Sequence, residues 1–308
     1  MASRGADRAR GRLVLVATPI GNLGDLSPRA VEALRSAVLV CCEDTRRTGR
    51  LLQHAGVAAP RLAVCNEHTE AARIAEVLAV LGDGGSVAVV TDAGTPGISD
   101  PGERLVRAAV DAGFEVTSVP GPTALVSALV TSGLATGRFA FEGFLPRSGP
   151  ARRDRLAELA AERRTIVVYE APHRVLRTLA DLAAALGGDR PVAVARELTK
   201  LWETVVRGTL GSVDLGTPRG EYVLVIAGAP DVSTPPDDDA IRTALRAELA
   251  TGVTTRDAAG TVARRLRVPK RLVYDLAVTE SRRVGRATVP GSASTPDPRI
   301  EGDPPRGR

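Results

Sequence analysis

The sequence predicts an α/β protein with two sheets, a parallel one in the first half and a mixed one in the second, followed by a small helical region. Three observations predict it. Short β-branched apolar runs alternate with helical segments of about 10–15 residues from Leu13 onward, the pattern of strands joined by helices in an α/β layer. Gly- and Pro-rich loops follow several of these runs and open helices, as at Thr18–Asp25 and Thr91–Gly102. Finally, three strand-like runs crowd between residues 192 and 227 with no helix between them, so part of the second sheet must pair antiparallel.

Taken in order, Leu13–Ala17 reads as a first buried strand. A helix follows from the cap Ser27 with Pro28 at its first position, through Val31 and Leu34. Val38–Cys42 is a strand, Thr45–His54 a helix and Leu62–Cys65 a strand. Glu70–Leu81 places Ile74, Val77, Leu78 and Leu81 on one helical stripe. Gly82–Gly85 ends that helix, and Ser86–Thr91 is a fully buried strand. A helix over Gly102–Ala112 and a strand over Glu115–Val119 complete the first set, and Pro120-Gly121-Pro122 punctuates the chain. The second set comprises a helix Thr123–Ser132, a strand Phe139–Leu145, a helix Arg152–Arg164, a strand Thr165–Tyr169 and a helix Pro172–Leu186. The runs Val192–Arg196, Glu203–Gly208 and Tyr222–Ala227 close it. Pro230–Asp239 is a Pro/Asp-rich linker, and Asp239–Val278 reads as two or three short helices. The expected divisions are a disordered basic arm 1–12, an N-terminal α/β domain 13–121 and a second α/β domain 122–229. A small helical region 237–280 and a tail 281–308 follow; the tail has almost nothing to bury and is expected to be disordered.

Composition narrows the class. Hydrophobic residues make up 44% and charged residues 25% of the 308, which suits a globular protein. No apolar run is long enough to span a bilayer, and the Arg-bearing start has no apolar stretch before Leu13, so no secretory signal is read there. Cys41, Cys42 and Cys65 have no metal-ligand spacing and read as free thiols of a reducing cytosol; three scattered histidines make no zinc site. Lys200 and Lys270 are the only lysines, all other basic side chains among the 41 being arginine, as a GC-rich genome produces. A lysine retained inside a motif therefore attracts interest, since a buried Lys can lose its proton and Arg cannot.

Several loops carry the residues that chemistry needs. Thr18-Pro19-Ile20-Gly21-Asn22-Leu23-Gly24-Asp25 leaves the first strand at the edge where α/β sheets bind ligands; on physics alone it is a tight turn or a cofactor loop. It matches neither a dinucleotide fingerprint nor a P-loop. Thr91–Gly102 supplies two carboxylates, hydroxyls and several backbone amides, its shape fixed by three glycines and two prolines. Its acids suit an ammonium group or ribose hydroxyls and would repel phosphate. Cys42–Arg50 offers Glu43 and Asp44 with arginines, either as a capped helix start or as part of a site. Tyr169-Glu170-Ala171-Pro172-His173-Arg174 and Arg196-Glu197-Leu198-Thr199-Lys200 follow strands of the second half. No nucleophile elbow and no H-E-x-x-H motif occurs.

Together and in this order, Thr18–Asp25, Glu43-Asp44-Thr45-Arg46, Asp92-Ala93-Gly94-Thr95-Pro96, Pro120-Gly121-Pro122, Tyr169–Arg174 and Arg196–Lys200 resemble the ribosomal RNA small subunit methyltransferase I family of the tetrapyrrole methylase superfamily. The resemblance spans roughly residues 12–280. It implies two α/β domains with S-adenosylmethionine in the cleft, a cytoplasmic homodimer, and 2′-O-methylation of a cytidine in the decoding region of 16S rRNA in the small ribosomal subunit. It assigns the cofactor to Pro19, Asp92, Ala93, Gly94, Thr95, Ile98, Ser99, Gly121, Thr123, Ala124, Phe144, Leu145 and Tyr169. Thr18–Asp25 then forms half of a cofactor cradle and Asp92–Ser99 the other half. The family pattern often has Thr-Arg-His where this chain has Thr45-Arg46-Arg47, so no histidine acts there.

Methyl transfer to a ribose hydroxyl needs alignment and removal of a weakly acidic proton. Lys200 with a depressed pKa, or the pair Glu43 and Asp44, is expected to take that proton. Arg46, Arg47, His173, Arg174 and Arg196 are expected to hold RNA, the arginines as bidentate phosphate donors. The basic side chains of Thr254–Leu276 either touch rRNA phosphates or form a solvated face. Competing readings are a tetrapyrrole-precursor methyltransferase of the same superfamily and a non-enzymatic ribosome-assembly RNA binder.

Overall fold

The structure is a computed structural model that describes residues 11–58, 60–230, 237–266 and 268–287. The chain divides after Ala229 into two compact units. The first unit opens with strand β1 (Arg12–Val16), helix α1 (Pro28–Ser36), β2 (Leu39–Cys42), α2 (Thr45–His54), β3 (Arg61–Val64), α3 (Glu70–Gly82), β4 (Val87–Val89), α4 (Glu103–Asp111) and β5 (Glu115–Val119). These strands form a wholly parallel sheet of order β3-β2-β4-β1-β5. Alternate residues explain its two covered faces. Val14, Val16, Val40 and Ala88 pack on Ala30 and Leu34 of α1 and Leu52 of α2. Leu13, Leu39, Val87 and Val89 pack on Val77 and Leu81 of α3 and Leu105 and Ala109 of α4. Helices on opposite faces send the loops after neighbouring β1 and β4 to opposite sides, which leaves a crevice at the carboxyl edge between them.

The same unit continues with α5 (Ala124–Thr131), β6 (Phe139–Phe144), α6 (Gly149–Ala160), β7 (Thr165–Glu170), α7 (Val175–Leu186), β8 (Pro191–Arg196), β9 (Thr204–Thr209) and β10 (Tyr222–Ile226). Their sheet has the order β6-β7-β10-β8-β9. It is mixed, as expected: β6 and β7 run parallel, while β10 is antiparallel to both β7 and β8, and β9 to β8. One face buries Ile166, Val168, Val194 and Leu224 under Leu159 of α6 and Leu179 and Leu182 of α7. The other buries Val167, Ala195 and Val223 under Leu125 and Leu129 of α5, joined by Ile20 from the loop after β1. That shared cluster locks the two sheets together.

The second unit holds α8 (Asp238–Leu249), α9 (Thr255–Leu266) and α10 (Lys270–Ala287) around Ile241, Leu245, Ala258, Val262, Val273 and Ala277. Three elements depart from expectation. Helix α6 covers Gly149–Ala160, not Arg152–Arg164, because Pro150 at its first turn starts it early and Glu162 binds Arg164 beyond its end. Helix α7 begins at Val175, not Pro172, because Arg174 N–H closes a turn onto the Ala171 carbonyl first. Helix α10 is described as far as Ala287, seven residues into the expected tail. Residues 1–10, Ala59, the linker positions 231–236, Arg267 and residues 288–308 lie outside the described residues.

Candidate active site

The loops after β1, β2, β4 and β5 are tied to one another by backbone and short side-chain bonds. Thr18 N–H donates to the Gly94 carbonyl at 2.9 Å, and Gly94 N–H returns to the Thr18 carbonyl at 3.1 Å. The buried Thr18 hydroxyl donates to the Thr91 carbonyl at 3.2 Å. Gly94 has φ +94°, a conformation that glycine adopts without strain. Glu43 Oε1 accepts from Asp92 N–H at 3.0 Å, and Arg47 reaches Asp92 Oδ2 at 3.4 Å. Thr95 Oγ1 donates to the Pro122 carbonyl at 3.1 Å. Ser99 is held at φ +63°, uncommon for a side-chain-bearing residue and of the kind that clusters at functional sites.

These loops and the edge of the second sheet enclose a cavity of about 510 Å3, within the ~300–1,000 Å3 range of small-molecule sites. Asp92, Ala93, Gly94, Thr95, Ile98, Ser99, Thr123, Ala124, Phe144 and Tyr169 line it, so most of the expected cofactor residues meet in one place. Pro19, Gly121 and Leu145 do not. Pro19 lines a neighbouring cleft with Arg47 and Arg50. Gly121 packs so close to Ala17 that a Cβ would lie 2.9 Å from the alanine methyl. Leu145 is buried in the core of the second sheet. Of the loop Thr18–Asp25 only Ile20 reaches the cavity, so the rest of it forms no part of the lining. It works instead as a clasp: Asn22 N–H donates to Thr199 Oγ1 at 3.1 Å, and Gly21 leaves room for the side chains of Thr199 and Lys200. Glu43, Arg47, Asp100, Leu198 and the Glu170–His173 and Glu221–Val223 segments complete the lining.

The cavity is electrostatically lopsided. Glu43, Asp92 and Asp100 face it from the first sheet. Burial raises the Glu43 pKa, against the pull of the Asp92 N–H. Burial likewise raises Asp92, with Arg47 opposing. Asp100 is pushed up to about 7 by burial and then by the charges of Glu43 and Asp92. Asp92 Oδ1 is buried without a hydrogen-bond partner in the protein, an acceptor suited to a ligand's donor. The other wall sets aromatic surface beside Glu170 and Glu221. Tyr169 stacks edge-on between Phe141 and Phe144, with ring centroids 4.9 and 5.8 Å apart, and its hydroxyl accepts from Leu125 N–H at 3.0 Å. Carboxylates at one end and aromatic and aliphatic surface at the other fit a ligand with a cationic head and a flat apolar ring.

The residues expected to take the proton separate into different roles. Glu43 lines the cavity. Asp44 does not: it caps α2, accepting from Arg46 N–H at 2.7 Å, and that bond above all holds its pKa below the usual range. Lys200 also lies off the cavity lining. Its Nζ donates to Glu197 Oε1 at 2.9 Å and Glu221 Oε2 at 2.7 Å. Burial alone would lower its pKa, but these two carboxylates outweigh burial and hold the ammonium above its usual range. The expectation of a depressed lysine is thus corrected. Lys200 is a clamped cation that fixes the turn after β8, where Glu197 and Thr199 sit at φ +52° and +65°.

Among the expected RNA contacts, Arg46 is exposed on α2, and Arg47 and His173 line the cavity. Arg174 is committed inward: it pairs with buried Glu170 at 3.1 Å and donates to the Leu145 carbonyl at 2.6 Å. Arg196 is half-buried beside Thr204 and Tyr222, away from the cavity, with its Nε unpartnered. Asp100 and Glu221 line the cavity but stand outside the expected set. Asp100 lies one position beyond Asp92–Ser99, in the same loop. Glu221 has no local signal, because only the β8–β10 pairing brings it to Lys200. Among the described residues no cluster of His, Cys, Asp and Glu could hold a metal ion, and no helix is long and apolar enough to cross a membrane.

Comparison with known proteins agrees with this architecture. Residues 12–214 match the family Tetrapyrrole (Corrin/Porphyrin) Methylases. A Synechocystis protein named ribosomal RNA small subunit methyltransferase I is 49% identical over 87% of this chain and 98% of its own length. A Xylella fastidiosa protein of the same name is 52% identical over 72% and 83%. In fold, the chain is similar to the crystal structure of the methyltransferase CobJ, with a TM-score of 0.55 at 21% identity over 71% of this chain and 95% of that one. The chain belongs to the tetrapyrrole methylase family, in the group of methyltransferases whose members are named ribosomal RNA small subunit methyltransferase I.

Proposed function

We propose that this methyltransferase uses S-adenosylmethionine to methylate the 2′-hydroxyl of a cytidine in the decoding region of 16S rRNA, as a cytoplasmic homodimer acting on the small ribosomal subunit. The observation that carries the reading is the 49% identity to a protein of that name along nearly its whole length, far beyond what a shared fold produces. The cavity supports it, because its carboxylates suit the ammonium and ribose groups of the cofactor and its aromatic wall suits adenine. When bound, the cofactor supplies a methyl group on a positively charged sulfonium.

The protein's own residues supply the rest. Asp92, with its unpartnered Oδ1, and Glu43 hold the cationic end. Ile98, Phe144 and Tyr169 exclude water around the ring. Asp100 is the carboxylate whose proton affinity lies nearest neutrality, which suits it to accept the proton of the attacking hydroxyl. Lys200, Glu197 and Glu221 hold the turn that carries Leu198 into the lining.

One experiment tests the reading. The purified protein is incubated with radiolabelled cofactor and either small ribosomal subunits or a corrin precursor. Label on a ribose of 16S rRNA is the expected result. Label on the tetrapyrrole overturns it, and tight subunit binding without label points to an assembly factor. Light scattering of the purified protein at micromolar concentration tests the dimer.

A further inference from the structure

Beside the cavity lies a second concavity of about 300 Å3, lined by Arg147, Arg152, His173, Arg174, Arg177 and Thr178. His173 belongs to both linings, so the two hollows adjoin. Four guanidiniums from two segments meet here against two carboxylates. Arg152 is buried and fully committed: it donates to Asp181 at 2.8 Å, to the Pro146 carbonyl at 2.9 Å and to Thr178 Oγ1 at 3.0 Å. Arg174 is tied to Glu170 and the Leu145 carbonyl. These two form a rigid floor. Arg147 and Arg177 form the rim, and both are exposed. Arg177 reaches Asp181 only at 3.7 Å, and that carboxylate already serves Arg152. Among the described residues Arg147 forms no ion pair. The cleft therefore carries a surplus of positive charge, whereas the adjoining cavity is lined by Glu43, Asp92, Asp100, Glu170 and Glu221 against one arginine, Arg47.

Such segregation sorts two ligands by charge. The acidic cavity repels phosphate and accepts a cation, while the arginine rim does the reverse. We propose that this cleft is a phosphodiester subsite, in which Arg147 and Arg177 grip the RNA backbone next to the nucleotide whose ribose enters the cavity past His173. The proposal rests on the rRNA reading above. The paired rim arginines suit phosphate oxygens, and a floor already fixed by hydrogen bonds spares the site much of the ordering cost.

The test uses the full-length protein and a 16S decoding-region RNA fragment, with binding measured across a salt series without cofactor. For the double variant Arg147→Gln/Arg177→Gln, affinity at low salt is expected to fall on the order of tenfold. The slope of log K against log salt should drop by about 1.4, roughly 0.7 for each single-strand phosphate no longer neutralised. Arg147→Lys/Arg177→Lys should keep most of the slope, and cofactor affinity should be unchanged in both. If the wild type binds and methylates RNA while the Gln variant keeps its affinity and slope, the subsite is wrong and the proposed function stands. If the wild type neither binds nor methylates RNA, the proposed function falls and this subsite with it.

Discussion

At the scale of single residues, Asp100 is a carboxylate that the fold holds at a cost. Its pKa rises from 3.8 to about 7, so the native state binds a proton more tightly than the unfolded chain does. The stability linked to Asp100 is therefore fully present below about pH 4 and is lost as pH rises through 7. Asp100→Asn should stabilise the protein at pH 8 by about 1–2 kcal/mol, well under the unscreened linkage value because the group is partly open to water. The gain should shrink toward zero as pH falls to 4, as read by thermal or urea unfolding across pH. If Asp100 accepts the substrate proton, the same variant should lose about a hundredfold in kcat and the acid limb of the wild-type rate profile near pH 7. A variant more stable and equally active would separate the two claims and leave the base elsewhere. Gly21 makes a different residue-scale point. Alanine there would press its Cβ into Thr199 and the Lys200 stem, and Gly21→Ala should cost about 1–3 kcal/mol in unfolding measurements.

At the scale of elements, the cavity depends on a helix capped from another part of the chain. Gly102, before α4, has no side chain to offer the first turn and sits at φ +140°. Buried Glu70, the first residue of α3, fills that role: its Oε1 accepts from the amides of Gly102, Arg104 and Leu105 at 3.0, 2.9 and 3.2 Å. A carboxylate facing three otherwise unpaired amides also meets the positive end of the helix dipole. Glu70→Ala should destabilise the protein by about 2–3 kcal/mol and Glu70→Gln by less, since the amide oxygen still accepts. Because Asp92–Asp100 runs directly into this helix, calorimetry should also show weaker cofactor binding in Glu70→Ala. Stability loss with unchanged affinity would mean that the loop is held by its other ties.

What the sequence makes readable at this scale follows from where each signal lies. Helix α2 is legible to the residue because Asp44 is a local cap and Thr45–His54 a local helix. The start of α6 is obscured although Ser148-Gly149-Pro150 is a local start signal, because Gly149 and Pro150 read equally well as a turn. The late start of α7 is not readable, because the turn that Arg174 N–H closes onto the Ala171 carbonyl precedes the helix with no glycine to mark it. The same division holds for the site. Asp92–Ser99 announces itself through its own glycines and acids, whereas the state of Lys200 is decided by Glu221, which strand pairing delivers.

At the scale of the whole molecule, the chain separates its tasks along its length. Every described residue that lines the cavity lies between Ile20 and Val223, and the hydrophobic clusters of the first unit draw only on residues up to Ile226. The second unit builds its own core from Ile241 to Ala277. A cluster that closes on its own residues keeps its apolar packing when a segment outside it is removed, so its burial free energy is retained. A chain ending at Ala229 should therefore fold with a cooperative unfolding transition and bind S-adenosylhomocysteine within about threefold of the full chain by calorimetry. Arg264, Lys270 and Arg271 of the second unit are exposed and are not among the lining residues; if they touch rRNA phosphates, their removal should appear in the salt-dependent affinity for RNA, and if they form a solvated face it should not. A truncated chain that folds but binds the cofactor more than tenfold weaker would show that the second unit contributes to a site whose lining residues all lie in the first.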